Sequence, residues 1–185
     1  MFSVGLFLLK HYCPSTGIAF NKEQRDLHRL KNRTALPDPS DFDEVVTLSS
    51  LVRPGNDSAR WSVSRAARIE GYVVSVAAAN VEMANCYCAR DTHIYIASRP
   101  NAPPREQIVL ETTPRIEAWA RSRGWDWSAK TLKRTLTGHL VRFEGWLFFD
   151  SGHAIESENI SPERPQNWRA SAWEIHPVTN IEVLR

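Results

Sequence analysis

The stretch "TPRIEAWARSRG", Thr113–Gly124, decides how the rest of the chain is read. Upstream of it the pattern alternates in steps of two. Within it the spacing turns helical: Thr113 suits an N-cap, Pro114 the first helical position, Ile116, Trp119 and Ala120 share one face, and Gly124 ends the run. A second short helix follows, with Ser128 as its cap, Leu132 and Leu136 one turn apart, and Gly138 as its stop.

These helices separate three predicted strands from two. Before them stand "RIEGYVVSV" (Arg68–Val76), "DTHIYIAS" (Asp91–Ser98) and "QIVLET" (Gln107–Thr112); after them stand "LVRFEGWLFF" (Leu140–Phe149) and "SAWEIHPVTNIEV" (Ser171–Val183). Three strands, a helix and two strands is the chain order of an OB barrel. The expected class is therefore all-β to α+β: a five-stranded OB-like barrel with helices inserted between strands 3 and 4, plus an N-terminal extension. The rival is an open antiparallel α+β sheet. Gly71 and Gly145 fall where a strongly bent barrel strand has no room for a Cβ. The barrel is assigned to residues 61–185 and a partly irregular extension to residues 1–60. Within the extension, residues 1–20 read as a loose tail or an extra strand, and Asn21–Arg33 as a short helix or disordered chain.

Of the 185 residues, 42% are hydrophobic and 24% charged, ordinary for a soluble globular protein. No run of about 18 apolar residues is present, so no transmembrane segment is expected. The apolar run Val4–Leu9 lacks a basic flank and a small-residue cleavage site, so no signal peptide is assigned. A soluble, cytoplasmic location is the default, with export left open. The three cysteines, Cys13, Cys86 and Cys88, are too few for a disulfide framework. Cys86 and Cys88 read as free thiols; in an exported chain Cys13 could bridge to one of them.

The net charge of +2 does not by itself imply nucleic acid. Between Arg115 and Arg142, however, seven basic residues face two acids. That stretch is either a solvated helix face or a phosphate-contacting surface, and Arg115, Lys130, Lys133, Arg134 and Trp146 are its candidate binding residues.

"SAWEIHP" (Ser171–Pro177) carries the other signal. In a half-buried strand Trp173 and Ile175 face the core, so Glu174 and His176 face away from it. The same parity sets Asp91 and His93 opposite Ile94 and Ile96, and Glu111 opposite Ile108 and Leu110. It also sets Asp150, with His153 just beyond, opposite Phe143 and Leu147. In the OB pairing order 1-2-3-5-4-1 these residues become one cross-strand cluster. It reads in three ways. It is a structural Asp–His network. It is a metal site for a divalent transition metal such as Zn or Mn, with His93, Asp150, His153 and His176 as ligands and Asp91 and Glu174 as the catalytic carboxylates. Or it is metal-free acid–base chemistry with an oriented histidine.

Read in order, "PGNDSARWS", "ARIEGYVVSV", "RDTHIYIA", "ETTPR", "GWLFFDSGH" and "NWRASAWEIHPVTNIEV" resemble a family of uncharacterised bacterial OB-like proteins. The resemblance spans roughly Asn32–Val183. It also extends, more loosely, to small secreted bacterial proteins with Asp-x-His, Phe-Phe-Asp-x-x-His and Glu-Leu-His-Pro patterns. The family motifs fall here on Asp91, His93, Glu111, Asp150, His153 and Glu174–Pro177, while Cys88 stands where relatives are expected to carry histidine. The family has no established activity, so the resemblance implies no reaction. Two functions stay open: an OB-like binding module for nucleic acid, a glycan or a protein, and a metal-dependent hydrolase with phosphodiesters as candidate substrates.

Overall fold

Five strands pair in the order β1-β2-β3-β5-β4 and close on themselves. They are β1 (Ala66–Val81), β2 (Arg90–Ala97), β3 (Ile108–Thr112), β4 (Leu140–Phe149) and β5 (Trp173–Val183). The structure is a computed structural model that describes residues 13–55 and 58–184. The Val4–Leu9 run therefore lies outside the described residues.

All neighbours are antiparallel except β3 and β5, which run parallel with Leu110 opposite Ile175. The long β1 closes the sheet by pairing with β2 through one part and β4 through another. Its register with β2 breaks twice, and β4 and β5 slip around Gly145, so the closed sheet is irregular. The inward parity read from the sequence holds: Ile94, Ile96, Ile108, Leu110, Phe143, Leu147, Trp173 and Ile175 form one buried core.

Gly145 shows why the bend needs glycine. A Cβ there would lie 2.3 Å from the Pro177 carbonyl oxygen and 2.5 Å from Ile175 Cγ2. At Gly71 the nearest atom would be Ile96 Cδ1 at 3.0 Å, a tight contact with a movable side chain.

Among the described residues, four α-helices accompany the sheet: α1 (Lys22–Lys31), α2 (Leu48–Leu51), α3 (Pro114–Arg121) and α4 (Ala129–Leu136). The caps are those expected: Thr113 accepts the Ile116 N–H at 3.3 Å, and Ser128 accepts the Thr131 N–H at 3.4 Å. Ile116 and Ala120 of α3, and Leu132 and Leu136 of α4, are buried in the core. None of the helices among the described residues is long and apolar enough to cross a membrane.

Three expectations are corrected. Residues 13–20 are not a loose tail: the Ile18 N–H donates to the Met83 carbonyl, and Asn32 Nδ2 donates to the carbonyls of Ser15 and Ala84. Cys86 is not a free thiol: it is bonded to Cys13 across 73 residues, with Cα atoms 5.8 Å apart, and Cys88 alone stays free. Finally, β5 is buried on both faces from Trp173 to Thr179. Its outer face is covered by the chain after α1. Arg33 donates to the carbonyls of Val63, Leu147 and His176, and the Trp146 indole N–H donates to the Ala35 carbonyl at 2.8 Å. A parity rule sees only the strand and not the segment laid over it.

Candidate metal centre

The polar face of β2, β3 and β5 opens into a pocket of about 540 Å³, with the end of β4 at its edge. Asp91, His93, Glu111, Asp150, His153 and Glu174 line it, together with Lys31, Glu82, Tyr95, Trp168 and Arg169. The strands place these groups by register: His93 lies opposite Glu111 across β2 and β3, and Glu174 lies opposite Phe148 across β5 and β4.

The side chains form one continuous chain of contacts. His93 Nε2 lies 3.2 Å from Glu111 Oε1. Glu111 Oε2 and Glu174 Oε2 flank His176 Nδ1 at 3.5 and 3.4 Å. Glu174 Oε1 accepts from Arg169 Nη2. Arg169 Nη1 donates to Asp150 Oδ2 at 2.8 Å, and the same oxygen lies 2.6 Å from His153 Nδ1.

Arg169 was not anticipated from the sequence. It lies between predicted elements, in an irregular stretch, and carries no pattern there. Yet its side chain is 1% exposed and it is the cation that binds Asp150 to Glu174. Lys31, delivered by α1, reaches Glu82 at 2.7 Å on the opposite wall.

Arg169 pairs with Asp150 and Glu174, and Lys31 pairs with Glu82 while its charge also acts on Asp91 and Glu111, which have no lysine or arginine within ion-pair distance among the described residues. Both flank His176. One ligand atom from each of Asp91, Glu111 and His176 lies within 4.8 Å of the other two, and all three residues are buried. Among the described residues, His176 Nε2 is buried with no hydrogen-bond partner; Asp91 Oδ2 is 3.9 Å away. Asn85 Nδ2 holds the other Asp91 oxygen at 2.9 Å.

The electrostatics follow from burial and crowding. Burial pushes the Asp91 carboxyl up to about 7, against the pull of His176. Burial also opposes ionisation of Glu111, but His176 and His93 outweigh it and hold that carboxyl below its usual range. The His176 imidazole is raised despite its burial, first by Glu111 and then by its bond to Glu174. Burial likewise disfavours the charged form of His93, and the bond to Glu111 more than restores it. His153 is raised by its bond to Asp150. The cluster thus holds protons that a divalent cation would displace.

His93 contacts Glu111, and His153 sits at the mouth against Trp168 with ring centroids 5.4 Å apart. Neither belongs to the tight trio, and Asp150 is joined to it only through Arg169 and Glu174. The candidate binding residues lie elsewhere. Arg115 donates to Asn32 Oδ1 and to the Cys13 carbonyl, so it ties down the N-terminal segment. Trp146 is covered beneath that segment, while Lys130, Lys133 and Arg134 are exposed on α4. No family model, curated protein or solved structure matches the chain.

Proposed function

We propose that this chain is an OB-like barrel that binds a divalent transition metal, Zn²⁺ or Mn²⁺, through Asp91, Glu111 and His176 and uses it for hydrolysis. The observation that carries the reading is the buried Nε2 of His176, without a hydrogen-bond partner among the described residues and 3.9 Å from Asp91 Oδ2, in a trio whose ligand atoms lie within 4.8 Å of one another. A buried polar atom without a partner costs free energy, and a metal ligand is one resolution of that cost. One imidazole and two carboxylates suit Zn²⁺ or Mn²⁺.

Held by Asp91, Glu111 and His176, such an ion would supply Lewis acidity and would lower the pKa of a water towards neutral. Asn85 orients Asp91, and His93 orients Glu111, as outer partners do around metal ligands. His153, half exposed at the mouth with Nδ1 fixed by Asp150, is placed to hold or hand on a proton. The Cys13–Cys86 bond favours an oxidising compartment over the cytoplasmic default.

The test is metal analysis of untagged protein, with titration of Zn²⁺ and Mn²⁺ into the metal-free form. Near-stoichiometric uptake that is lost in His176→Ala and Asp91→Asn supports the site and justifies a screen of activated phosphodiesters and esters. Protein that takes up neither metal sinks the reading. The second function, a binding module, is favoured by the exposed Lys130, Lys133 and Arg134 on α4 and by Trp125, 48% exposed just ahead of it. It predicts polyanion binding that weakens steeply with salt.

A further inference from the structure

We propose that Cys13, Cys86 and Cys88 form a thiol–disulfide exchange centre that controls how firmly the N-terminal segment is clamped behind the pocket. The three sulfurs belong to one place in the fold. Cys13 is bonded to Cys86, and the free thiol of Cys88, two residues on, donates to the Cys86 carbonyl at 3.1 Å. Cys86 and Tyr87 have φ values of 51° and 55°, so two consecutive non-glycine residues are left-handed. This tight coil turns the Cys88 side chain back onto Cys86, and it is a strained arrangement of the kind found at switch regions.

The exchange needs no outside oxidant or reductant. The Cys88 thiol loses its proton to solvent, and its thiolate attacks Cys86 Sγ. The Cys86–Cys88 bond forms as the Cys13–Cys86 bond breaks. Cys13 leaves as a thiolate and takes up a proton, so one disulfide and one thiol remain. Folding sets the direction. The bond to Cys13 closes a separation of 73 residues and restrains the unfolded chain, whereas the Cys86–Cys88 bond closes a minimal loop. The docked N-terminal segment therefore keeps Cys13 bonded, and lifting that segment favours the alternative pair.

What the clamp holds bears on the pocket. The Cys13 carbonyl accepts from Arg115, and Asn32 bridges Ser15 to Ala84. Just along the chain, Lys31 reaches Glu82 in the pocket wall and Arg33 donates to the His176 carbonyl. Asn85, next to Cys86, holds Asp91. Exchange thus loosens both supports of the trio at once. This coupling rests on the metal reading above; the exchange itself does not.

Disulfide mapping tests the exchange. The full chain is held near pH 8.5, the ordinary range of a thiol, without reductant and with sub-denaturing urea. It is then acid-quenched, alkylated and digested with trypsin for mass spectrometry. We expect Cys13 linked to Cys86 at the start. With time, a looped peptide containing both Cys86 and Cys88 should appear in step with alkylated Cys13. Cys88→Ser should abolish the looped peptide and leave Cys13 linked. A wild-type chain that never forms the looped peptide, or Cys88→Ser protein that frees Cys13 as fast as wild type, overturns the proposal. Mn²⁺, which disfavours thiolates, reads the coupling: Cys13→Ser should bind it several-fold more weakly than wild type. Equal affinities overturn the coupling. Absence of Mn²⁺ and Zn²⁺ binding in wild type overturns the metal reading and leaves the disulfide result standing.

Discussion

Arg169 and Glu174, five residues apart in sequence, form an ion pair in which both side chains are 1% exposed. The same guanidinium binds Asp150, so one cation bridges two carboxylates at the end of the polar face. Burial by itself would lower the Arg169 pKa, but Glu174 and then Asp150 raise it above the ordinary value.

Removing that cation leaves the buried Glu174 and the part-buried Asp150 without their guanidinium. Arg169→Leu is expected to destabilise the fold by about 3–5 kcal/mol, read from urea unfolding midpoints. Arg169→Lys should recover only part of this, because one ammonium cannot reproduce a planar fork that reaches both Asp150 and Glu174. A loss below about 1 kcal/mol for Arg169→Leu would mean that the pair is dispensable.

Metal uptake should be strongly pH-dependent. Asp91 titrates near 7 and His176 above its ordinary value, so a metal entering the trio displaces protons from both. The apparent Zn²⁺ affinity should rise as pH increases from about 5 to about 8, as followed by calorimetric titration.

In metal-free protein the same groups give stability a maximum in pH. The folded pKa of Asp91, about 7, lies above its ordinary 3.8. Folded protein then binds more protons than unfolded protein between those values, and stability falls as pH rises through that window. Glu111 and Asp150 are held below their ordinary values, so their contribution is lost as pH falls through the acid range. Urea midpoints measured with chelator present should show the decline above about pH 4. Asp91→Asn should flatten it.

Gly145→Ala should be far more damaging than Gly71→Ala. A methyl group at 145 meets backbone atoms of Pro177 and Val178 at 2.3 and 2.9 Å, and these cannot move without breaking the β4–β5 pairing. At 71 the closest atom is the end of the Ile96 side chain. Overpacking of this kind costs about 1–3 kcal/mol, and more where backbone must shift. Thermal midpoints of the two variants, compared with wild type, check the order.

The parities of Ile94, Phe143 and Trp173 were legible because a strand exposes alternate residues to alternate faces, whatever surrounds it. The caps at Thr113 and Ser128 were legible because capping is a contact over three residues. Strand order followed from the helical insertion, and with it the meeting of Asp91, Glu111, Glu174 and His176. Arg169 was not legible, since it lies in irregular chain where no period assigns a side chain to a face.

The sequence by itself determined the elements, their caps and the face on which each acid and histidine stands, all of which depend on neighbours within a few residues. Only the tertiary structure decided which of these groups share charge. Arg33 and Lys31 come to the strands from a segment more than a hundred residues before β5, and Cys13 reaches Cys86 across 73 residues. Such contacts are fixed by the packing of the whole chain and by the cost of leaving a buried charge unpaired, and neither is written in any local pattern.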